Sequence, residues 1–314
     1  MKFTKPKFWD FQKPNIYAYL LLPFTLPVRL NNFLSNHKSK IKPNEVKTIC
    51  VGNIYLGGTG KTPSVIKLFE ILKKIELNVV TAKKFYSSQK DEIVLLENKT
   101  NFISAKKRVE IIEKAMKNNY KIVIFDDGLQ DKSIDYDLKF VCFNSKNWIG
   151  NGELIPSGPL REKVGSLKNY DAVFLKNIDN PNYNIINLIK NINPKIKIFN
   201  TYYKINNLKN FDLKKRYLIF SGIGNPDNFK NILIKHNFDI LDVIIYPDHY
   251  EYTEEDILKI KKKASDMNAK IITTEKDFVK IPTDNRNDIN FLDVNLEIIE
   301  EKDLLMLLKS KMYE

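Results

Sequence analysis

The feature that most limits what this 314-residue chain can fold into is the run Gly57-Gly58-Thr59-Gly60-Lys61-Thr62. It follows a short apolar stretch, Thr48-Ile-Cys-Val51. It precedes a stretch with apolar residues at 65, 66, 68, 69, 71 and 72, the spacing of one helical face. A strand, a loop of small residues and a helix form the context that a phosphate loop requires. Residues without bulk let backbone N–H groups close on phosphate oxygens, and the helix N-terminus favours negative charge. On this reading Gly57, Gly58, Thr59, Gly60, Lys61 and Thr62 bind a nucleotide. Lys61 neutralises the β- and γ-phosphates, Thr62 offers its hydroxyl to Mg2+, and Pro63 suits the first helical turn. The strict pattern has one more glycine, five residues before Gly60, where this chain has Tyr55.

Strands and helices alternate beyond the loop. Strands are expected at 78–81, 121–125, 138–143 and 172–175, with helices at 63–74 and 108–118. Such alternation predicts an α/β fold, a P-loop NTPase-like parallel sheet with helices on both faces. A second, smaller α/β domain begins near Tyr217, with strands at 217–220, 241–245 and 270–273 and helices at 229–236 and 254–267. Residues 198–213 read as the connection. The expected division is an amphipathic segment at 1–36, a P-loop domain at 37–205 and a smaller domain at 206–314, whose last helix is free to pack back on the first domain.

A hydrophobic content of 43% with 28% charged residues describes a folded chain rather than a disordered one. The net charge of +13 attracts polyanions, whether nucleic acid, anionic headgroups or phosphorylated substrates. A lysine-rich coding bias accounts for it equally. No nucleic-acid-binding module is recognisable, so nucleic acid is not an expected partner. Cys50 and Cys142 have neither metal-ligand nor CxxC spacing and lie in apolar runs, which predicts buried, reduced thiols. Lys2, Lys5 and Lys7 precede Phe8-Trp9 and an apolar run from Ile16 to Leu30 broken by Pro23 and Pro27. The run is shorter than the roughly 20 residues of a spanning helix. It fits an interfacial, membrane-associating segment, or else a first helix packed on its own core.

Asp126-Asp127-Gly128 caps the apolar strand 121–125. A carboxylate at the end of a strand beside a phosphate loop holds Mg2+ or its water shell; taken alone, the same residues make a simple turn. Asp91-Glu92 reads first as an acidic pair at a helix start and second as a base toward an accepting hydroxyl. His249, in Tyr246-Pro-Asp-His-Tyr250 after an apolar strand, sits in a loop of site-like composition; the other histidines are His37 and His236. Arg161, in Ile155-Pro-Ser-Gly-Pro-Leu-Arg-Glu162, either grips a phosphate or pairs on a surface turn.

Together these motifs resemble the tetraacyldisaccharide 4'-kinase family. The resemblance rests on Val51-Gly-Asn-Ile-Tyr-Leu-Gly-Gly-Thr-Gly-Lys-Thr-Pro63, Asp91-Glu92, Lys107-Arg108-Val109 and Asp126-Asp-Gly-Leu-Gln130, followed by Leu154-Ile-Pro-Ser-Gly-Pro-Leu-Arg-Glu162. It continues through Phe220-Ser-Gly-Ile-Gly-Asn-Pro226, Tyr246-Pro-Asp-His-Tyr250 and Thr273-Thr-Glu-Lys-Asp277. The resemblance implies transfer of the γ-phosphate of ATP to the 4'-hydroxyl of a tetraacyldisaccharide 1-phosphate, in lipid A biosynthesis, at the cytoplasmic face of the bacterial inner membrane. It implies ATP and Mg2+ as cofactors, an anionic acylated disaccharide and the membrane surface as partners, no obligate protein partner, and two domains joined by a two-stranded connection. It assigns Asp91 as catalytic base with His249 in a dyad from the second domain, and Asp126, Asp127 and Glu162 to metal and phosphate. Arg108, Gln130 and Arg161 fall to polar positions near the reacting phosphates. The chain departs from the family in its shortened 81–90 segment, in Lys90 for a glycine and in Asp131 for a histidine. The alternative reading is a P-loop ATPase or GTPase of regulatory or metal-delivery type.

Overall fold

The structure, a computed structural model, describes residues 5–36, 39–86, 89–177 and 180–313. Lys2, His37, Ser87 and Ser88 lie outside them. Two short helices, α1 (Ile16–Leu21) and α2 (Leu26–Asn36), precede β1 (Lys47–Gly52). Then come α3 (Lys61–Lys74), β2 (Val79–Lys84), α4 (Lys90–Lys99), β3 (Phe102–Ala105), α5 (Arg108–Lys117), β4 (Ile122–Asp126), β5 (Leu138–Asn144), β6 (Ala172–Lys176), α6 (Tyr183–Ile192) and β7 (Lys197–Ile205). The remainder comprises β8 (Arg216–Ser221), α7 (Pro226–Lys235), β9 (Asp239–Ile245), α8 (Glu254–Asp266), β10 (Lys270–Thr274), α9 (Glu275–Phe278), β11 (Ile289–Leu292), β12 (Val294–Ile298) and α10 (Glu301–Met312).

The chain divides into two units, a larger one of residues 5–85, 99–202 and 296–314 and a smaller one that contains 86–98 and 203–295. The division falls within β7 and within β12, so each of these strands carries the chain from one unit to the other. The stretch 198–213, expected as a connection, begins as a nine-residue strand. Asn200, Thr201 and Lys204 dilute its apolar pattern, which is why the sequence reads as a linker there.

The larger unit is built on a sheet of order β12-β7-β6-β5-β1-β4-β2-β3, with parallel pairing from β7 through β3. β4 and β6 are buried at every position and β1 and β5 at nearly every one, as strands covered on both faces must be. Phe140 stacks on Phe174 at 4.7 Å, with Phe199 at 6.0 Å from Phe174. α10 turns Leu304, Leu308 and Met312, four residues apart, into this unit. Lys67 of α3 pins it at 2.7 Å from Glu297 and 3.0 Å from Glu301.

The smaller unit has a four-stranded parallel sheet, β11-β10-β8-β9. Leu218, Phe220, Ile257, Ile260 and Ile271 fill one side, and Tyr217, Phe229, Leu233 and Phe238 the other. Both cysteines are free and buried, and burial pushes each thiol up to about 12. Among the described residues no helix is long and apolar enough to cross a membrane.

Candidate active site

In a parallel sheet the strands end at one edge, and the register decides which residues meet there. Val51 on β1 pairs with Asp126 on β4, and Lys83 on β2 pairs with the same Asp126. The chain leaves β1 directly into the phosphate loop. Gly57 and Gly60 hold φ of +131° and +92°, a region that side-chain-bearing residues rarely enter, and Gly60 opens α3. Asn53 shapes the loop from inside: its Nδ2 donates to Tyr55 O at 2.6 Å, Gly57 O at 3.2 Å and Thr59 Oγ1 at 3.1 Å. Tyr55, in the place of the expected glycine, is 4% exposed: its ring clusters with Leu154 and Leu160 and lies beside Gly57 of the loop. Its hydroxyl bonds Asp10, accepts from Lys5 Nζ at 2.9 Å and meets Asn147 Nδ2 at 3.2 Å.

Asp126 is the hub of the sheet edge. Its Oδ2 accepts from Thr62 Oγ1 at 3.0 Å and from Lys83 Nζ at 2.9 Å, and both residues of the ion pair are buried. Its Oδ1 is buried with no hydrogen-bond partner. A carboxylate oxygen without a partner, beside the loop hydroxyl, suits a hard cation that takes oxygen ligands, so Thr62 and Asp126 fit Mg2+. Among the described residues no three His, Cys, Asp or Glu side chains gather as a metal cage, so such a cation would draw its other ligands from phosphate and water.

The neighbouring polar residues form one connected set. Lys61 Nζ lies 3.8 Å from Asp127 Oδ2. Arg161 Nη1 donates to Asp127 Oδ1 at 2.9 Å and to Gln130 Oε1 at 3.2 Å. Gln130 Nε2 donates to Asn53 O at 2.9 Å and to Glu162 Oε1 at 3.0 Å, and Tyr170 donates to Glu162 Oε2 at 2.9 Å. Both Glu162 oxygens therefore have protein partners. Arg108 is buried; it pairs with Asp131 and donates from Nη2 to Asp127 O at 2.7 Å. Burial works to raise the Asp131 pKa, but the Ser133 hydrogen bonds and the Arg108 charge outweigh it and hold the carboxyl below its ordinary range. Asp131, where the family resemblance expects histidine, thus braces Arg108 against the backbone of Asp127. Asp127 itself has φ of +56°, in the left-handed region that favours glycine.

A second cluster lies in the smaller unit, which includes 86–98. Asp91 stands in the first turn of α4, where the helix dipole favours an acid, and is 5% exposed. His249 Nδ1 lies 2.9 and 3.0 Å from its two oxygens, and Oδ1 also accepts from Glu92 N at 2.9 Å. Burial works to raise the Asp91 pKa, but the His249 hydrogen bond and the Lys276 charge prevail and depress it. His249 has φ of +56°, the same left-handed backbone as Asp127. Its N–H donates to Gly222 O at 3.2 Å, and a Cβ on Gly222 would lie 3.0 Å from Pro247 O. The sequence reading keeps Asp91 in the P-loop domain; by contact it groups with His249.

Sequence reasoning gave no role to Lys83, Asn53, Tyr170 or Lys276. Lys83 gave no signal of its own, because its place opposite Asp126 is a property of the sheet register. Asn53 and Lys276 lay inside motifs already noted.

The amino-terminal segment belongs to the larger unit. Trp9 is buried and donates from Nε1 to Pro156 O at 3.0 Å, Ser157 Oγ donates to Ala18 O at 2.6 Å, and Asn32 Nδ2 donates to Arg161 O at 2.9 Å. The opposite face exposes Ile16, Tyr17, Leu20, Phe24, Leu30 and Phe33.

A phosphate loop on a parallel sheet, with a carboxylate hub in register beside it, defines a P-loop nucleotide-handling protein. The tetraacyldisaccharide-1-P 4'-kinase family matches residues 17–313, and the chain belongs to that family. The tetraacyldisaccharide 4'-kinase of Pelagibacter ubique (strain HTCC1062) is 45% identical over 304 residues, covering 97% of this chain and 96% of that one. The protein of the same name from Rickettsia akari (strain Hartford) is 35% identical over 316 residues, covering 95% and 94%. The solved structure of LpxK from Aquifex aeolicus in complex with ATP shares the fold at a TM-score of 0.70 and 21% identity, over 95% of this chain and all of that one.

Proposed function

We propose that the chain transfers the γ-phosphate of ATP to the 4'-hydroxyl of a tetraacyldisaccharide 1-phosphate. The observation that carries this reading is the family match across 17–313, which spans both units. In the reaction the acceptor oxygen forms a bond to the γ-phosphorus, the bond from that phosphorus to the β,γ-bridging oxygen breaks, and ADP leaves with the electron pair. The hydroxyl proton passes to Asp91, which His249 orients through Nδ1. Lys61 and the loop N–H groups hold the β- and γ-phosphates, and Arg161 and Lys61 bear on Asp127 at the same edge. Thr62 and Asp126 would hold Mg2+, which when bound neutralises charge on the phosphate oxygens. The family match and the relatives that carry the kinase name favour the kinase over the ATPase or GTPase reading.

The exposed apolar face of 16–34 supports docking at an anionic lipid surface, with the +13 charge as the long-range attraction. On this reading the work is done at the cytoplasmic face of the inner membrane, on an acylated disaccharide. The test is transfer of labelled γ-phosphate from ATP to tetraacyldisaccharide 1-phosphate in detergent micelles, beside Lys61→Ala and Asp91→Asn. Labelled lipid from the native chain, lost in both folded variants, is the expected result. Lys61-dependent ATP hydrolysis without labelled lipid would return the protein to the switch class.

A further inference from the structure

Two motifs of the smaller unit, 220–226 and 273–277, meet at one carboxylate, and the third, 246–250, hangs from the first through a backbone hydrogen bond. Asp277, fully buried, accepts from Gly222 N at 3.0 Å, from Thr274 Oγ1 at 2.7 Å and from Tyr252 OH at 3.0 Å, and pairs with Lys280 at 2.7 Å. Gly222 in turn accepts the backbone N–H of His249. Asp277 therefore fixes α9 to the loop that carries the histidine.

The residue before it, Lys276, faces the dyad. Its Nζ lies 3.5 Å from Asp91 Oδ2, 3.2 Å from Glu92 Oε1 and 3.5 Å from Asp248 Oδ1, with 20% of its side chain exposed. The same three carboxylates surround His249: Asp91 at Nδ1, and Glu92 and Asp248 each 3.9 Å from Nε2. Lys280 also reaches Asp91, at 3.9 Å, but is committed to Asp277. Three anions gathered on one imidazole repel one another and draw a proton into the cluster unless a cation is shared among them.

We propose that Lys276 is a positioning residue for phosphoryl transfer: its ammonium, shared by Asp91, Glu92 and Asp248, lets three carboxylates crowd one imidazole and keeps Asp91 seated on His249 as the proton acceptor. This rests on the reading of Asp91 and His249 as the base. Burial alone would lower the Lys276 pKa, yet Glu92, Asp248 and Asp91 together hold the lysine charged, above its ordinary range. The geometry separates this role from a surface ion pair, because one ammonium touches every carboxylate that faces the histidine among the described residues.

The experiment measures kcat/KM for lipid phosphorylation against pH, with the full chain in detergent micelles, for the native protein, Lys276→Met, Lys276→Arg, Lys276→Met/Glu92→Gln and Asp91→Asn. In Lys276→Met the acidic limb moves up by about one pH unit, because Asp91 loses a cation that opposes its protonation. The KM for ATP stays unchanged. Lys276→Arg and the double variant, which restore the charge balance in opposite ways, return the limb toward its native place. A limb in folded Lys276→Met that superimposes on the native one overturns the proposal, as does a double variant no different from the single one. Should Lys276→Met not fold, the arginine variant and Glu92→Gln alone decide: the first leaves the limb in place, the second moves it down, and a limb unmoved by Glu92→Gln overturns the proposal. Activity retained in Asp91→Asn would remove the base reading itself, and this inference with it. Loss there with a native profile in Lys276→Met removes the inference alone.

Discussion

The phosphate-loop edge of the larger unit and the Asp91–His249 cluster of the smaller one are built by opposite means. At the first, strand register does the positioning: Lys83, Asp126 and Val51 are in-register neighbours on three adjacent strands, and the loop follows one of them. The ion pair there is buried. At the second, residues from a helix start, a loop and a four-residue helix meet, and the histidine keeps 24% of its side chain in solvent. Sheet register gives rigidity at the cost of a buried charge pair. A cluster of loops and caps holds its groups by side-chain hydrogen bonds, and any one of them can be removed without tearing a strand.

The largest effect should fall on the loop. Lys61→Ala should lower transfer by about 10²–10³-fold or more while leaving the thermal midpoint near the native value, because Lys61 is not a core residue. Equal losses of activity and stability would break the contrast with its neighbour Lys83. Lys83→Met leaves Asp126 buried with one partner fewer, and urea unfolding should show a loss of about 3–5 kcal/mol. A change under about 1 kcal/mol would mean that the sheet edge relaxes as easily as a loop.

In the smaller unit, Thr274→Val removes one hydrogen bond to Asp277 and the cap of α9, with an expected cost of about 1–2 kcal/mol and a parallel fall in transfer. Acid should expose the same unit. Asp91 has a folded-state pKa below its ordinary value near 3.8, so its stabilisation is fully present above that value and is lost as pH falls through the depressed one. Denaturant midpoints should therefore be flat between about pH 5 and 7 with respect to this group and decline below about pH 4. Midpoints that rise as pH falls from about 7 toward about 4 would show that Asp91 is protonated in the folded chain. The smallest effect concerns the thiols: with both pushed up to about 12 and buried, neither Cys50 nor Cys142 should react with a water-soluble disulfide reagent at pH 8 until the chain unfolds.

The two regions also differ in how far the sequence revealed them. The loop was legible because its chemistry is local: small residues, Lys61 and Thr62 sit within six positions between an apolar strand and a helical face. Asp126 was legible as a carboxylate ending a strand. Lys83 was not, since its importance comes from register, and nothing in the composition of 79–84 states which strand lies beside it. Tyr55 read as a defect in the loop, whereas its ring is buried beside it and its hydroxyl reaches Asp10, Lys5 and Asn147. β7 was hidden by asparagine and lysine in a strand partly exposed at its ends. The second cluster depends on contacts between residues 158 and more positions apart, as for Asp91 and His249. Only the family resemblance joined them, and Lys276 gained a role only from its distances.

Asp127 and His249 share a left-handed backbone that a glycine in their place would adopt more easily. For an evolving population this sets two demands at odds. A screen for thermal resilience alone would favour glycine at 127 and at 249, where the backbone is already shaped for it and an ordinary side chain costs about 1 kcal/mol. At these two positions the side chains are ones the proposed reaction uses, unlike Glu76 or Trp148, which share the same backbone region. In a lineage released from making its lipid product, these two positions should drift first, before the loop or the core shows any decay.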